Sequence, residues 1–203
     1  MIAAYASRTG TKRNLRALRL AGWRLMVSAY GVWRTEGFRC AVDNGAWSAH
    51  QSGQAWDAGR FRGVLDRLGD EADFVIAPDV VAGGLASLRL SESWLPDLKK
   101  YRLVLIPVQD GMIEADVMGL LDFRTGLFLG GSTGWKIETM DRWGDLAADV
   151  GCYYHVGRVN SVRRIHHAAT AGADSFDGSG PSRYAVEVMR LDQGRAQEAF
   201  KWR

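Results

Sequence analysis

Short apolar runs alternate along the chain with stretches whose apolar residues recur at helical spacing. Each run ends at a polar or glycine-rich position, and this pattern is typical of buried strands joined by amphipathic helices. The predicted strands cover residues 2–7, 24–29, 38–42, 73–78, 102–108, 126–129, 152–156 and 174–176.

Most of these strands are followed by a predicted helix with one apolar face. The inward positions are Leu15 and Leu18; Phe61, Val64, Leu65 and Leu68; Leu85, Leu88 and Trp94; Ile113, Val117, Leu120 and Leu121; Ile137, Met140 and Trp143; Val162, Ile165 and Ala169, before a last helix over residues 184–191. Only a brief connection through residues 30–33 follows the second strand. The helix containing Leu88 is expected to stop before Pro96, since proline disfavours helical geometry in the residue before it.

Eight such units in one chain predict an α/β protein with the (β/α)8 barrel fold. We expect a single domain over residues 1–203 with short loops, because such barrels usually run to about 250 residues. An open, doubly wound parallel sheet is the alternative.

The composition of the chain leads to expectations about its localisation, its cysteines and its cofactors. The chain is 47% hydrophobic, has no apolar run long enough to cross a membrane and begins without a signal-peptide pattern, so a cytoplasmic protein without membrane contact is expected. Cys40 and Cys152 fall inside apolar runs without partner spacing, which predicts buried, reduced thiols. No metal site and no cofactor is predicted.

The net charge of +3 conceals an uneven distribution. Residues 1–40 carry eight basic side chains and one acidic one, so the remaining chain is net negative. Such a basic segment favours a polyanion such as nucleic acid, although a solvated helix face explains the same residues. The candidate phosphate contacts are Arg8, Lys12, Arg13, Arg16, Arg158 and Arg183.

Polar residues follow the predicted strands where a parallel barrel places its chemistry. The set comprises Arg8, Tyr30, Asp43, Asp79, Gln109, Gly130, Gly131, Arg158 and Asp177. Any one aspartate there is explained as a helix cap, but three together indicate a site. Asp177 is the foremost candidate, because Gly178 and Gly180 follow it in a loop that permits close backbone approach. His155 falls near a strand end, so its side chain is expected either in the core or within reach of the site.

Six stretches in this order resemble the tRNA-guanine transglycosylases and their DNA-directed relatives that insert 7-deazaguanines. They lie between residues 40 and 183, and each is short, so the match rests on the set. They are Val42-Asp43-Asn44-Gly45-Ala46-Trp47, Ile76-Ala77-Pro78-Asp79, Val108-Gln109-Asp110-Gly111, Leu129-Gly130-Gly131, Val156-Gly157-Arg158, and Ala173-Asp174-Ser175-Phe176-Asp177 with Pro181-Ser182-Arg183.

The resemblance implies an exchange of guanine in a polynucleotide for a free 7-deazaguanine base. It makes Asp177 the nucleophile and Asp43 the acid/base group. The base-binding residues that it implies are Asp79, Gln109, Gly130, Gly131, Trp47 and Val156. Trp47 or Tyr30 would stack on the base, or would pack at the barrel mouth.

Two departures from the family pattern refine this expectation. No cysteine follows Cys152, so the family's C-terminal zinc site of three cysteines and a histidine, and the tRNA-docking region attached to it, are missing. Lys136 stands where bacterial members have a glutamate, which favours a cyano-substituted base over the cationic aminomethyl base. We therefore expect DNA as the substrate, with tRNA or a non-catalytic nucleic-acid-binding barrel subunit as alternatives. A partner protein or a homodimer is a candidate for opening the duplex.

Overall fold

A computed structural model describes residues 1–201, and its eight parallel strands close into a barrel. Each strand pairs with the next in chain order, and the eighth pairs with the first, from Ala3 opposite Ser175 to Ala6 opposite Gly178. This closure confirms the predicted (β/α)8 barrel and excludes the open sheet. The strands are β1 (Ala3–Ser7), β2 (Arg24–Ser28), β3 (Cys40–Asp43), β4 (Val75–Ile76), β5 (Val104–Val108), β6 (Thr125–Leu129), β7 (Tyr154–Val156) and β8 (Ser175–Gly178).

The helices surround the barrel in the predicted order, and in the described chain none lies between β2 and β3, as predicted. A short helix that the sequence did not reveal begins directly after Gly45, whose backbone is left-handed (φ 81°). The helices are α1 (Lys12–Leu20), α2 (Ala46–Gln51), α3 (Ala58–Leu68), α4 (Leu85–Leu98), α5 (Glu114–Val117), α6 (Thr133–Val150), α7 (Val162–Thr170), α8 (Gly180–Arg183) and α9 (Ala185–Lys201).

The prediction that the fourth helix stops before Pro96 is wrong, because α4 continues through this residue to Leu98. Proline inside a helix removes one backbone hydrogen bond and crowds the preceding turn. The Pro96 ring is exposed, whereas Leu95 and Leu98 on either side of it are buried. Burial of these two leucines offsets the cost of the proline.

Three positions predicted to face inward are exposed instead: Leu85, Ile113 and Ile137. Each lies at or near the start of its helix, on the side of the barrel where the strands end. These side chains stay exposed although they continue the helical spacing of the buried positions that follow them.

Side chains alternate between the two faces of each strand and so build two apolar layers. One cluster contains Tyr5, Met26, Ala41, Ile76 and Leu105 from the first five strands, together with Phe74, and fills the barrel interior. The other strand face packs against the helices in a larger cluster that includes Val27, Val75, Val156 and Phe176. The interior is therefore a packed core whose open end lies at the carboxyl ends of the strands.

An ion-paired network closes the opposite end of the interior. Asp73, just before β4, accepts hydrogen bonds from the Tyr5 hydroxyl at 2.9 Å, from Arg24 at 3.2 Å and from Nε of Arg39 at 2.9 Å. The charged members of this network lie at or just before the amino ends of their strands, and Tyr5 pairs with Arg24 in the register of β1 and β2. In (β/α)8 barrels, residues at this end serve stability and active sites lie at the opposite end.

Cys40 and Cys152 are both buried and free, as predicted. Burial raises the pKa of each thiol to about 11, which keeps both groups protonated and unreactive near neutral pH. No helix among residues 1–201 is long and apolar enough to cross a membrane.

Candidate active site

Three carboxyl groups from different strands converge at the carboxyl end of the barrel. Asp43 ends β3, Asp79 follows β4, and Asp177 lies in β8. They are close enough for the charges of Asp79 and Asp177 both to raise the pKa of Asp43. The chain thus brings together three acids that are separated by up to 134 positions (177 − 43) in the sequence.

The Asp177 side chain is held by two hydrogen-bond donors on one oxygen. Its Oδ1 lies 3.1 Å from the backbone nitrogen of Arg158 and 3.2 Å from Nε2 of His155. The side chain retains 14% of its exposure, so the carboxylate faces the barrel mouth and is not sealed in the core. An oriented carboxylate with one oxygen uncommitted to these donors is suited to nucleophilic attack.

Asp43 is distinguished by a strongly raised pKa. Burial, together with the charges of Asp79 and Asp177, raises the pKa of this carboxyl to about 7. The Gly45 N–H, 3.3 Å from Oδ1, and a hydrogen bond with Ser28 oppose the shift. A carboxyl group with a pKa near neutrality can both give and take a proton under physiological conditions.

Asp79 is held in place by the side-chain amide of Asn44. Nδ2 of the buried Asn44 donates to Asp79 at 2.9 Å and to the Ala77 carbonyl at 2.7 Å. Burial raises the pKa of Asp79, against the lowering effects of the Asn44 hydrogen bond and of the Arg158 charge. Asn44 was not among the predicted site residues, although its place directly after Asp43 was a signal that could have identified it.

Gln109 lies beside Asp79 but is almost fully buried, with 3% exposure. Its Oε1 accepts from the Gly83 N–H at 3.1 Å, and its Nε2 donates to the Ser87 hydroxyl at 2.7 Å and lies 3.5 Å from Asp79. Both ends of the amide are occupied by protein. The observed contacts make Gln109 a support for Asp79.

The glycine pair after β6 is required by close packing. Gly131 has a left-handed backbone (φ 73°), and a Cβ there would lie 2.5 Å from Oδ2 of Asp110 and 2.8 Å from the Trp135 ring. Asp110 is itself anchored by the Ser132 N–H at 2.6 Å. This packing leaves the Gly131 carbonyl available to the mouth, where it accepts a hydrogen bond from Arg158.

Arg158 spans the mouth of the barrel. Its backbone is left-handed (φ 57°), an uncommon geometry for a residue with a side chain. The guanidinium lies 4.7 Å from the centre of the Trp47 ring while it donates to Gly131. Arg158 therefore joins the loop after β7 to α2 on one side and to the β6 loop on the other, above the three aspartates.

The two aromatic candidates differ in their surroundings. Trp47 is 43% exposed and presents a ring face at the mouth. Tyr30 packs over Gly45, and its hydroxyl donates to the Ala55 carbonyl at 3.1 Å and accepts from the Asp57 N–H at 2.7 Å. Tyr30 thus secures the segment between α2 and α3, and Trp47 is the ring available for stacking.

Val156 is the predicted base-binding residue that the structure does not bring to the mouth. It belongs to the cluster between the strands and the helices, fully buried, because its side chain points out of the barrel. The alternation along β7 places His155, its neighbour, in the interior against Asp177. The sequence alone left undecided whether His155 reaches the site. The alternation of side chains along a strand was the signal that could have distinguished His155 from Val156.

Lys136 on α6 is buried close to the site, with 5% exposure, and donates to the Gly157 carbonyl. Burial, with the positive charge of Arg158, lowers the pKa of this amine to about 8, although the charge of Asp177 opposes the shift. The amine is thus still mostly cationic at pH 7.

The basic residues fall into two groups. Lys12, Arg13, Arg16 and Arg183 are exposed, and Asn14 ties α1 to the segment after Asp177 by donating to the Ser182 carbonyl at 2.7 Å. Arg8 is instead mostly buried and pairs with Glu36 at 2.6 Å. The exposed group forms a basic surface beside β8, whereas Arg8 is committed within the protein.

No protein-family model matches this chain, and no curated protein matches it. The (β/α)8 barrel supports many unrelated activities, so any function must be argued from the site.

Proposed function

We propose that the protein is a base-exchange transglycosylase, which replaces guanine in DNA by a free 7-deazaguanine through a covalent glycosyl intermediate on Asp177. One observation carries the proposal: two carboxyl groups share the barrel mouth in different environments. Asp177 is anchored by hydrogen bonds, and Asp43 has a pKa near 7. In glycosyl transfer, two carboxyl groups with such different environments take different roles, one as the nucleophile and the other as the acid/base group.

In the first step, the free oxygen of Asp177 attacks C1′ of the target nucleotide. The bond between C1′ and the base nitrogen breaks, and guanine leaves with the electron pair and a proton from Asp43. In the second step, the incoming base returns a proton to Asp43, its nitrogen attacks C1′, and Asp177 leaves as a carboxylate. Atoms and charge balance without a redox partner or a net consumption of water.

Recognition of the base follows from the shape of the mouth. Guanine and 7-deazaguanines share a planar edge that carries two N–H donors, and Asp79 can accept both, as carboxylates do from guanidinium groups. Arg158 already presents such a planar N–H group to Trp47 and Gly131. A base that stacks on this face of Trp47 would displace the arginine side chain toward the polynucleotide phosphates.

The charge of Lys136 leads to a prediction about the incoming base. In a competition reaction, we expect the cyano-substituted base to be incorporated in preference to the cationic aminomethyl base by about tenfold, the factor given by about 1.4 kcal/mol of repulsion. The measurement is the ratio of the two modified nucleosides after digestion.

Lys136→Met is the matched variant for this competition, because it keeps the buried chain and removes the charge. In this variant, the ratio of cyano-substituted to aminomethyl nucleoside should fall toward one. Preferential use of the aminomethyl base by the wild-type protein would overturn the assignment and would point to Asp110, near the same loop, as a counter-charge.

The choice of DNA rests on the basic surface beside β8, which is formed by the exposed side chains of Lys12, Arg13, Arg16 and Arg183. We expect labelled base to appear in DNA nucleosides, and not in tRNA nucleosides, when the protein is incubated with each polymer in parallel. Single-stranded DNA should react faster than duplex, because leaving the stack costs a few kcal/mol in a duplex. Label found only in tRNA would favour the RNA alternative and leave the barrel site intact.

Phosphate binding by the same surface provides a control for this experiment. The logarithm of the affinity for DNA should fall linearly with the logarithm of the salt concentration. Replacing Lys12, Arg13 and Arg16 with glutamine should make this negative slope shallower by about two to three, roughly one for each lost phosphate contact. The same change at Lys99, Lys100 and Arg102, which are exposed near the amino end of β5, should have little effect.

A further inference from the structure

His155 is a polar side chain in an aromatic environment inside the barrel. It is fully buried, its ring stacks on Phe128 at 5.0 Å with an interplanar angle of 14°, and the rings of Tyr5 and Phe74 lie 5.9 and 5.2 Å away. These contacts fix the plane of the imidazole. A histidine held this firmly presents its two nitrogens in constant directions.

Both nitrogens have partners on β8. Nδ1 lies 2.7 Å from the Ser175 hydroxyl, and Nε2 lies 3.2 Å from Oδ1 of Asp177. The three side chains form a continuous hydrogen-bonded series from Ser175 through His155 to Asp177.

The directions of these hydrogen bonds follow from the carboxylate. An ionised Asp177 can only accept, so Nε2 must carry a proton. In a neutral ring Nδ1 then accepts, and the Ser175 hydroxyl donates its single proton to it. One tautomer of His155 satisfies every member of the series.

On the basis of the proposed function, we propose that His155 is a positioning residue that selects the attacking oxygen of Asp177. The Nε2–H of His155 and the Arg158 backbone N–H both engage Oδ1, so Oδ2 is the oxygen that meets C1′. After attack, Oδ1 becomes the carbonyl oxygen of the glycosyl ester and keeps the same two donors.

This arrangement acts mainly on the second step. Hydrogen bonds to a carboxylate are stronger than those to an ester carbonyl, so the two donors stabilise Asp177 as it departs. Loss of the His155 donor should therefore shift the balance between free enzyme and covalent intermediate toward the intermediate, by about tenfold. A histidine that served packing alone would not change this balance.

A pair of variants separates the two roles of the ring. His155→Gln places an amide donor near the position of Nε2, whereas His155→Asn reaches only the position of Nδ1. We expect His155→Asn to turn over more slowly and to accumulate covalent intermediate by about tenfold relative to wild type, and His155→Gln to recover most of the difference. Thermal unfolding of both variants checks that the barrel is retained.

The proposal is overturned if the two variants, both folded, show the same ratio of intermediate to free enzyme. Nitrogen-15 NMR of the free wild-type protein provides a test that requires no activity. A neutral His155 ring protonated at Nε2 supports the positioning role, and a ring protonated at Nδ1 alone contradicts it. Failure of the transglycosylase proposal itself would appear separately, as no intermediate in the wild-type protein with either polymer.

Discussion

Asp177→Asn is expected to lower the rate of base exchange by at least about 10⁴-fold, since an amide is a poor nucleophile at a carbon centre. The substitution keeps an oxygen that can accept from His155 and from the Arg158 backbone, so the fold and the mouth should be preserved. The measurement is the rate at which labelled guanine is released from DNA when the 7-deazaguanine base is supplied.

Asp174→Asn is the matched control, because Asp174 directly precedes β8 and accepts from the Tyr154 N–H at 2.8 Å, away from the mouth. Its exchange rate should stay within a few-fold of the wild-type rate. If Asp177→Asn kept a comparable rate, Asp177 would not be the nucleophile, and the acid at β3 would become the next candidate.

Asp43→Asn is expected to reduce exchange by about 10²- to 10⁴-fold, the range for loss of a general acid or base. It should also stabilise the protein in alkaline solution. The pKa of Asp43 is raised from 3.8 to about 7 in the folded state, so its contribution to stability is present below pH 3.8 and is lost as the pH rises through 7. Asparagine avoids the cost of ionising a buried carboxyl group.

The measurement for this prediction is the free energy of unfolding of both proteins between pH 4 and pH 8. We expect the free energy of unfolding of Asp43→Asn, relative to that of wild type, to increase by about 4 kcal/mol over this interval. Asp66→Asn, an exposed change on α3, is the control and should show no such trend. A constant difference across the interval would contradict the raised pKa of Asp43.

The fold could be predicted because its determinants are local. Each apolar run and each helical period appears directly in the sequence, and a closed barrel is the arrangement that covers eight such units. The error at Pro96 arose where tertiary burial of Leu95 and Leu98 outweighed a local preference. The exposed residues Leu85 and Ile113 at the helix starts have a similar cause. Helical spacing identifies the apolar face of a helix, but it does not show which residues of that face are covered in the folded barrel.

The candidate site was predictable in outline, because a parallel barrel places every strand end in one ring. This rule identified Asp43, Asp79 and Asp177 together. It did not distinguish Val156 from His155, whose assignment depends on which face of β7 points inward. It also could not show that Gln109 is held by protein groups on both ends of its amide, since Gly83 and Ser87 come close only in the folded chain.

Arg158 illustrates a further kind of information that only the structure holds. The sequence marked it as a residue at a strand end and a candidate phosphate contact. Its left-handed backbone and its contacts with Trp47 and Gly131 place the guanidinium across the mouth, where the proposed base would bind. Base entry and movement of Arg158 are therefore coupled in the proposed mechanism.

The proposed reaction requires a covalent bond between Asp177 and the sugar of a nucleic acid, and mass spectrometry of the quenched reaction tests for this bond most directly. Trypsin cleavage after Arg164 and Arg183 releases residues 165–183, which contain Asp177, whereas Asp43 lies in residues 40–60. The proposal predicts a nucleotide adduct on the first peptide, with fragmentation assigning it to Asp177 and not to Asp174. An adduct on the Asp43 peptide, or no adduct with either DNA or tRNA in the presence of the base, would contradict it.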